Sequence, residues 1–311
     1  MIVKRNFNVF KVIRYVRTEL ATSLLLSLAI YALHARGISS ISLPFPVAAI
    51  LGSALAIFIA FRNNTAYGRW WEARTVWANL LSSSRIFARQ IIANADNAVA
   101  TGKASPEKAA GFKREMIYRQ IAFAHVLRLH LRSQTDWDEI RAFLAPAEFE
   151  RLPAASNPPN LLLLSQGLRV KEAIREELLG AFDNISLEPT LASFASGQGA
   201  CERIKQTPLL RHYDYFTRVF MRVFMLLLPF CLIGDFTRLG IAPLMVPIST
   251  AIAFVFGTIG KVGEVNEDPF ENSINDVPIT AVCNAIERDL KEMLGGEPLP
   301  PSSAPQNGYL F

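Results

Sequence analysis

Four stretches of the chain run without a charged residue for long enough to suggest membrane-spanning helices. They are residues 20–33, 43–61, 223–234 and 239–260. Crossing about 30 Å of hydrocarbon takes roughly 20 residues, so the first stretch must lengthen at its start, where basic side chains can snorkel to the interface. A buried soluble core can supply one such run. Four in one chain favour a membrane protein with four transmembrane helices.

The long segment between the second and third stretches has the pattern of a helical domain. Apolar residues recur every three or four positions from residue 69 to residue 92, which is the period of an amphipathic helix. Ser105 followed by Pro106 predicts a helix start, with serine as N-cap and proline at the first helical position. A break is expected at residues 185–189, before a helix that carries Cys201. No alternating strand pattern is present, so the predicted fold class is an all-α membrane protein.

These patterns predict the organisation of the whole chain. Residues 1–61 contain an N-terminal segment and transmembrane helices 1 and 2, and residues 62–216 form a helical cytoplasmic domain. Residues 217–260 contain transmembrane helices 3 and 4. Residues 261–294 form a cytoplasmic C-terminal segment with an amphipathic helix over its last sixteen positions, 279–294. The proline-rich residues 295–311 are expected to be a flexible tail.

The composition agrees with a hybrid of membrane-spanning and water-facing parts. Of 311 residues, 51% are apolar and 19% are charged, whereas soluble domains are about 25% charged. The formal net charge is +5, and the basic residues before the first stretch are Lys4, Arg5, Lys11, Arg14 and Arg17. The positive-inside rule then places both termini in the cytoplasm, and the expected location is the cell inner (plasma) membrane. Since topology accounts for the basic excess, nucleic-acid binding loses its support.

Sequence motifs of catalysis are absent. Neither GxxxxGK[ST] nor GxSxG occurs, and His125 and His130, five residues apart, do not share the helix face that a zinc pair requires. Cys201, Cys231 and Cys283 form no CxxC pair, so we expect buried free thiols in a reducing compartment. The sequence therefore predicts a protein that is not an enzyme and that holds no cofactor or metal.

Several short motifs together resemble the bestrophin family, in its bacterial branch. The most extended is FRNNTAYGRWWEAR at residues 61–74, directly after the second stretch. The others are ACERI at residues 200–204 with Thr207-Pro208, EDPF at 267–270, NDVP at 275–278 and CNAIE at 283–287. Any one of these motifs is weak evidence. Their order and their positions around four apolar stretches make the set specific, and it extends over nearly the whole chain.

The resemblance implies a homopentameric ion channel in which the second transmembrane helix of each subunit lines a narrow hydrophobic neck. Ser53, Ile57 and Phe61 match the neck positions of the family, and their i, i+4, i+8 spacing places them on one helix face. The neighbouring face carries a ridge of small residues that lets helices approach closely, namely Ala48, Gly52, Ala56 and Ala60. A helix buried within a single subunit would show the same periodicity. The implied partners are further copies of the chain, membrane lipid and permeant monovalent ions.

The resemblance also implies a second, cytoplasmic aperture. Spacing upstream of Cys201 matches it to Ile185, with Phe182 as a rival position. Eukaryotic relatives bind activating Ca²⁺ with an acidic run after the matching Pro-Phe, but here residues 271–276 (ENSIND) contain only two carboxylates. The acidic residues from 264 to 271 also lack the EF-hand spacing, and a solvated turn paired with arginines is the simpler interpretation. We therefore expect gating without a calcium clasp.

Ion selectivity has two candidate answers. The eukaryotic branch conducts anions such as chloride, whereas the resemblance to the bacterial branch implies monovalent cations. Three carboxylates near the expected pore mouths, Asp235, Glu267 and Asp268, could enrich cations there.

Two other kinds of function are alternatives to a channel. A secondary transporter would be expected to carry an ionisable residue near the middle of a span, which none of the four stretches has. A membrane-anchored scaffold or signalling module is an alternative that the sequence leaves open.

Overall fold

The chain is described by a computed structural model over residues 1–4, 9–38, 41–296 and 298–311, and helices make up most of these residues. Arg5, one of the basic residues behind the predicted orientation, lies outside them. The α-helices are α1 Val9–Tyr15, α2 Arg17–Ala35, α3 Phe45–Ala100, α4 Pro106–Leu131, α5 Pro146–Phe149, α6 Pro158–Arg175, α7 Asp183–Gln206, α8 Arg211–Arg238, α9 Met245–Val265 and α10 Ile279–Leu294. Two 3-10 helices, Trp137–Phe143 and Ala242–Leu244, complete the helical elements of the described residues.

Four helical stretches within the described residues are long and apolar enough to cross a membrane, as the sequence predicted. They are Arg17–Ala35, Phe45–Ala100, Asp183–Arg238 and Ala242–Val265. The first extends beyond the uncharged residues 20–33 at both ends, because Arg17 and Glu19 join the first turn of α2. Pro229 lies inside α8 without ending it, which is tolerated in membrane helices.

The chain packs as two compact units. The first, which we call the membrane unit, contains Lys4–Arg69 and Pro208–Glu267; the second, the helical unit, contains Met1–Val3, Trp70–Thr207 and Asp268–Phe311. Helix α3 contributes to both. The predicted boundaries lie at residues 62 and 216. In the structure, residues 62–69 and 208–216 belong to the membrane unit.

The membrane unit buries apolar side chains from α2, α3, α8 and α9. Its core includes Ile30, Leu55, Ile59, Phe224 and Leu228. Where two helices come closest, glycine replaces a side chain: a Cβ at Gly263 would overlap Asn63 Oδ1. Such close approach is what packs transmembrane helices, because lipid tails are as apolar as the side chains themselves.

The helical unit is built around α4, whose residues from Met116 to Leu129 are all buried. Aromatic rings from α3, α4 and α7 meet beside it, with the centroid of Phe194 5.7 Å from that of Phe87 and 5.8 Å from that of Phe123. One buried polar chain crosses this core. Gln120 Nε2 donates to Ser84 Oγ at 2.9 Å and Gln166 Nε2 donates to Gln120 Oε1 at 2.9 Å, so both ends of the Gln120 amide are paired within the core.

In the helical unit, two predictions from local sequence patterns are confirmed and one is wrong. Ser105 caps α4 by accepting from the N–H of Lys108 at 3.4 Å, and α10 occupies the predicted residues 279–294. The expected break at residues 185–189 is wrong, because α7 begins at Asp183 and runs through Pro189. Gln90 of α3 supports this turn: its amide donates to Ser186 O at 2.9 Å and accepts from Thr190 Oγ1 at 3.0 Å.

The C-terminal residues lie against α10 of the helical unit. The N–H of Ala281 donates to Phe311 O at 2.7 Å, Asn284 Nδ2 to Ser303 Oγ at 3.0 Å, and Arg288 Nη1 to Pro300 O at 2.9 Å. The expectation of a flexible tail rested on its proline content and stays a prediction.

Candidate functional site

The predicted neck residues share one exposed face of α3 in the membrane unit. Ser53 is exposed, and the side chains of Ile57 and Phe61 are 58% and 63% exposed. Leu55 and Ile59, on the opposite side of the helix, are 2% exposed. The alternation gives α3 one face that packs within the chain and one apolar face that has no partner within the described residues of this unit.

Ser53 uses its hydroxyl inside the helix. Its Oγ donates to the carbonyl of Ala49, four residues earlier, at 2.8 Å. The donor is therefore occupied, and only the oxygen lone pairs face outward. Because its proton is used within the helix, the Ser53 hydroxyl at the predicted neck can only accept a hydrogen bond.

The ridge of small residues on α3 divides into two halves. Ala48 is buried and Gly52 lies so close to Phe224 that a Cβ there would sit 3.2 Å from its ring. Ala56 and Ala60 are exposed. The first half of the ridge thus packs against α8 of the same chain, and the second half is free to approach another helix.

A buried arginine follows the neck directly. Arg62 is 3% exposed; its Nη2 lies 2.6 Å from Asp214 Oδ1 and 3.7 Å from Glu267 Oε2, and its Nη1 donates to Gly260 O at 3.1 Å. Arg218 also pairs with Asp214. The sequence analysis did not predict this cluster, because it considered Arg62 only as part of the motif at residues 61–74. The signal in the sequence was Arg62 directly after one apolar stretch and Asp214 ahead of another, a pair of opposite charges that could meet at one end of the membrane helices.

Asn63 forms a second anchor beside Arg62. Its Nδ2 donates to Ile259 O at 2.8 Å, one residue before the carbonyl that Arg62 holds. In the sequence this asparagine belongs to the FRNNTAYGRWWEAR motif of residues 61–74. Together the two side chains fix the end of the neck face to α9, so the position of Phe61 depends on both.

The aperture candidates lie at the start of α7 in the helical unit. Ile185 is 70% exposed in the first turn, and Phe182, the N-cap residue, is 81% exposed. Pro189 has no N–H to donate to the carbonyl of Ile185 four residues earlier. Both side chains are available to line an opening, and their exposure does not separate Ile185 from its rival.

The sequence matches the bacterial/fungal bestrophin protein family over residues 7–292. The chain belongs to this family. Voltage-dependent anion channel-forming protein YneE of Escherichia coli (strain K12) is 33% identical over 261 residues, 84% of this chain and 80% of that protein. Protein mll4386 of Mesorhizobium japonicum, which has the same descriptive name, is 32% identical over 263 residues, 84% of this chain and 78% of that protein.

Solved structures agree with this membership. The crystal structure of a bacterial bestrophin homolog from Klebsiella pneumoniae superposes with a TM-score of 0.80 at 28% identity, covering 90% of this chain and 99% of that one. The predicted family is therefore confirmed, and it is a family of membrane ion channels. The expected preference for cations has no such support, because the names of the relatives specify anions.

Among the carboxylates predicted near the pore mouths of this bestrophin, Glu267 and Asp235 pair with arginines. Glu267 is buried in the pair with Arg62, and its carbonyl accepts from Arg69 Nε at 2.9 Å. Asp235 is 3.5 Å from Arg238 Nη1 at the end of α8. Asp268 is exposed. Pairing reduces the field that Glu267 and Asp235 can project into a pore.

The carboxylates of the acidic segment serve separate partners. Glu264 Oε2 lies 2.8 Å from Lys261 Nζ, Glu271 pairs with Lys205, and Asp276 Oδ2 accepts from the N–H of Ser273 at 3.0 Å. Within the described part of the chain, no three His, Cys, Asp or Glu residues form a group that could hold a metal ion.

Burial controls the titratable groups of the helical unit. Burial raises the pKa of the Cys283 thiol to about 12 and also raises that of Cys201, so both stay protonated at neutral pH. All three cysteines are free and buried, as the sequence predicted. Burial likewise raises the pKa of Asp276, although hydrogen bonds from Ser273 oppose the shift.

Proposed function

We propose that five copies of this chain assemble around one central pore and pass small monovalent ions passively. The observation that carries the proposal is the exposed apolar face of α3 at Ile57 and Phe61, on a helix long enough to cross a membrane. The exposed half of the small-residue ridge, at Ala56 and Ala60, gives the neighbouring helix room to approach. In this assembly the α3 faces form a hydrophobic neck.

A narrow apolar ring resists water and ions, so a neck of this kind gates by dewetting. Replacing Ile57 by alanine widens the ring and should raise single-channel conductance in bilayers that contain the purified protein, whereas Ser53→Ile should lower it. Leu25→Ala is the matched control, since Leu25 is an equally exposed apolar residue on α2. Unchanged currents from both neck variants would remove these residues from the pore.

The assembly itself has a direct test. The mass of the detergent-solubilised protein should equal five chains, and a monomer would exclude the five-fold pore and favour a membrane-anchored scaffold or signalling module. The proposed orientation places both termini in the cytoplasm and the protein in the cell inner membrane, in contact with lipid.

The second constriction is assigned to Ile185. Comparing Ile185→Ala with Phe182→Ala separates the two candidates, because only the residue at the narrowest point should change conductance or ion preference when it is shortened. An effect from Phe182→Ala alone would move the aperture to that residue.

Selectivity has a first and a second candidate. Monovalent cations are supported by the resemblance to the bacterial branch and by the exposed carboxylate of Asp268. Anions are favoured by the names of the relatives and by the arginine partners of Glu267 and Asp235. The sign of the reversal potential under asymmetric potassium chloride decides between them. A current that requires micromolar Ca²⁺ would overturn the proposal that gating needs no calcium clasp.

A further inference from the structure

A cavity of about 440 Å³ opens between α2 and α8 in the membrane unit. Its polar walls come from Thr18, Glu19 and Thr22 of α2 and from Arg218 and Arg222 of α8, and apolar residues that include Met225 line the rest. Nothing in the proposed conduction pathway uses these side chains.

The cavity lies where both helices change from charged to apolar residues. On α8, Arg218 and Arg222 come just before the uncharged residues 223–234, and on α2, Glu19 precedes the uncharged residues 20–33. The polar walls therefore lie at the depth of lipid headgroups, and Leu26 and Leu226 continue the cavity toward the depth of acyl chains.

Two opposite charges in this cavity have no ion-pair partner among the described residues. Arg218 shares Asp214 with Arg62. Arg222 is exposed, and no described residue forms an ion pair with it or with Glu19. Glu19 Oε2 accepts a hydrogen bond from Thr18 Oγ1 at 2.7 Å. One free guanidinium and one free carboxylate thus face a single cavity.

We propose that this cavity binds a phospholipid headgroup that carries both a phosphate and a primary ammonium, as phosphatidylethanolamine does. Arg222 pairs with the phosphate, because a guanidinium matches phosphate oxygens bidentately. Glu19 accepts N–H bonds from the ammonium. Thr22 Oγ1 donates to the carbonyls of Thr18 and Glu19, so its hydroxyl oxygen is left to accept from the ammonium. The acyl chains run along Leu26 and Leu226. The proposal rests on the transmembrane helices and not on ion conduction.

The charge pattern predicts a rank order among headgroups. Phosphatidylcholine keeps the phosphate but has no N–H to donate to Glu19, and phosphatidylglycerol has no cation. A hydrogen bond to a charged group contributes about 1.5–3 kcal/mol, which corresponds to roughly tenfold or more in affinity. Phosphatidylethanolamine should therefore be retained about tenfold better than the other two lipids.

Native mass spectrometry of the purified full chain, with the three lipids added at identical acyl composition, tests this. Glu19→Gln should abolish the preference for phosphatidylethanolamine over phosphatidylcholine, and Arg222→Gln should weaken retention of all three lipids about tenfold. Arg36→Gln is the matched control, since Arg36 is an exposed arginine at the other end of α2, and it should change neither.

Folding of each variant is checked by its elution volume and thermal unfolding midpoint in detergent. If Arg222→Gln fails this check, Thr22→Phe fills the cavity without altering charge and should displace the lipid. Stronger retention of phosphatidylglycerol than of phosphatidylethanolamine by the wild type would overturn the proposal in favour of a simple anionic-lipid surface. Equal losses in Arg36→Gln and Arg222→Gln would overturn it as well. The same spectra count subunits, so failure of the pentamer is distinguished from failure of the lipid site.

Discussion

Helix α3 runs through both units, so an exposed apolar face in its first part can be compared with a buried one in its second part. In the membrane unit it exposes Ile57 and Phe61, whereas in the helical unit it buries Trp77, Phe87 and Ile91 completely. In the proposed assembly Ile57 and Phe61 line a narrow apolar neck, where they act on water and ions, whereas Trp77, Phe87 and Ile91 are buried from water and stabilise the fold. The same substitution should therefore have different consequences in the two units.

Buried polar groups differ between the units in a parallel way. The helical unit links some of them through side-chain hydrogen bonds, as in the series from Ser84 through Gln120 to Gln166. In the membrane unit, Arg62 and Asn63 donate to backbone carbonyls of α9, and Arg62 also holds Asp214. The membrane unit thus relies on few polar contacts, each of which ties two helices together.

The largest loss of stability is expected from the aromatic core of the helical unit. Phe194→Ala removes a fully buried ring that packs against Phe87 and Phe123, and large cavities of this kind cost about 4 kcal/mol. Chemical unfolding of the detergent-purified protein measures it. Leu168→Ala, at an exposed leucine of α6, is the control. Equal stability of the two variants would contradict the role of the buried aromatic core in stabilising the helical unit.

Breaking the arginine cluster tests the membrane unit. Arg62→Ala leaves Asp214 buried with only the half-exposed Arg218 as partner, and loss of a buried partner costs about 3 kcal/mol or more. The thermal midpoint should fall accordingly. Arg238→Ala removes an exposed pair that contributes about 1 kcal/mol at most. A midpoint in Arg62→Ala no lower than in Arg238→Ala would show that the cluster does not hold α3 to α8.

A matched pair of isoleucines on α3 isolates the role of the neck face. Ile59 is 2% exposed and Ile57 58% exposed, two residues apart on the same span. Ile59→Ala should lower the free energy of unfolding by about 2 kcal/mol, because packing contacts are lost while the transfer contribution is small in lipid. Ile57→Ala should change it by less than about 0.5 kcal/mol and alter conductance instead. If Ile57→Ala is the more destabilising variant, its side chain packs within the protein and does not face a pore.

The sequence predicted what depends on local patterns and on matched motifs. Uncharged runs located the spans, a serine before a proline located the start of α4, and the i, i+4 spacing placed Ser53, Ile57 and Phe61 on one face. It did not predict the Arg62 cluster, because residues 62, 214 and 267 are far apart in the chain and only folding brings their charges together. The continuous helix at Pro189 was missed for the same reason: Gln90, which supports that turn, is distant in sequence.

The smallest effects concern two carboxyl groups of the helical unit whose pKa values shift in opposite directions. Burial alone would raise the pKa of Glu287, but contacts with His125 and Lys291 outweigh burial and lower it. A lowered folded-state pKa gives stability that is present above the unfolded value of about 4.3 and is lost as pH falls through the folded value. Glu287→Gln should therefore flatten the acid side of the stability profile.

Asp276 has the reverse sign. Because burial raises its pKa, its contribution is fully present below the unfolded value of about 3.9 and is lost as pH rises through the folded value. Asp276→Asn keeps an oxygen for the N–H of Ser273 and removes that loss, so the variant should gain on the wild type as pH rises from 4 toward neutrality. Thermal midpoints measured across pH 3–8 give both difference curves. Difference curves of the same shape would mean that general charge repulsion, and not the local surroundings of each carboxyl, sets the pH dependence of this unit.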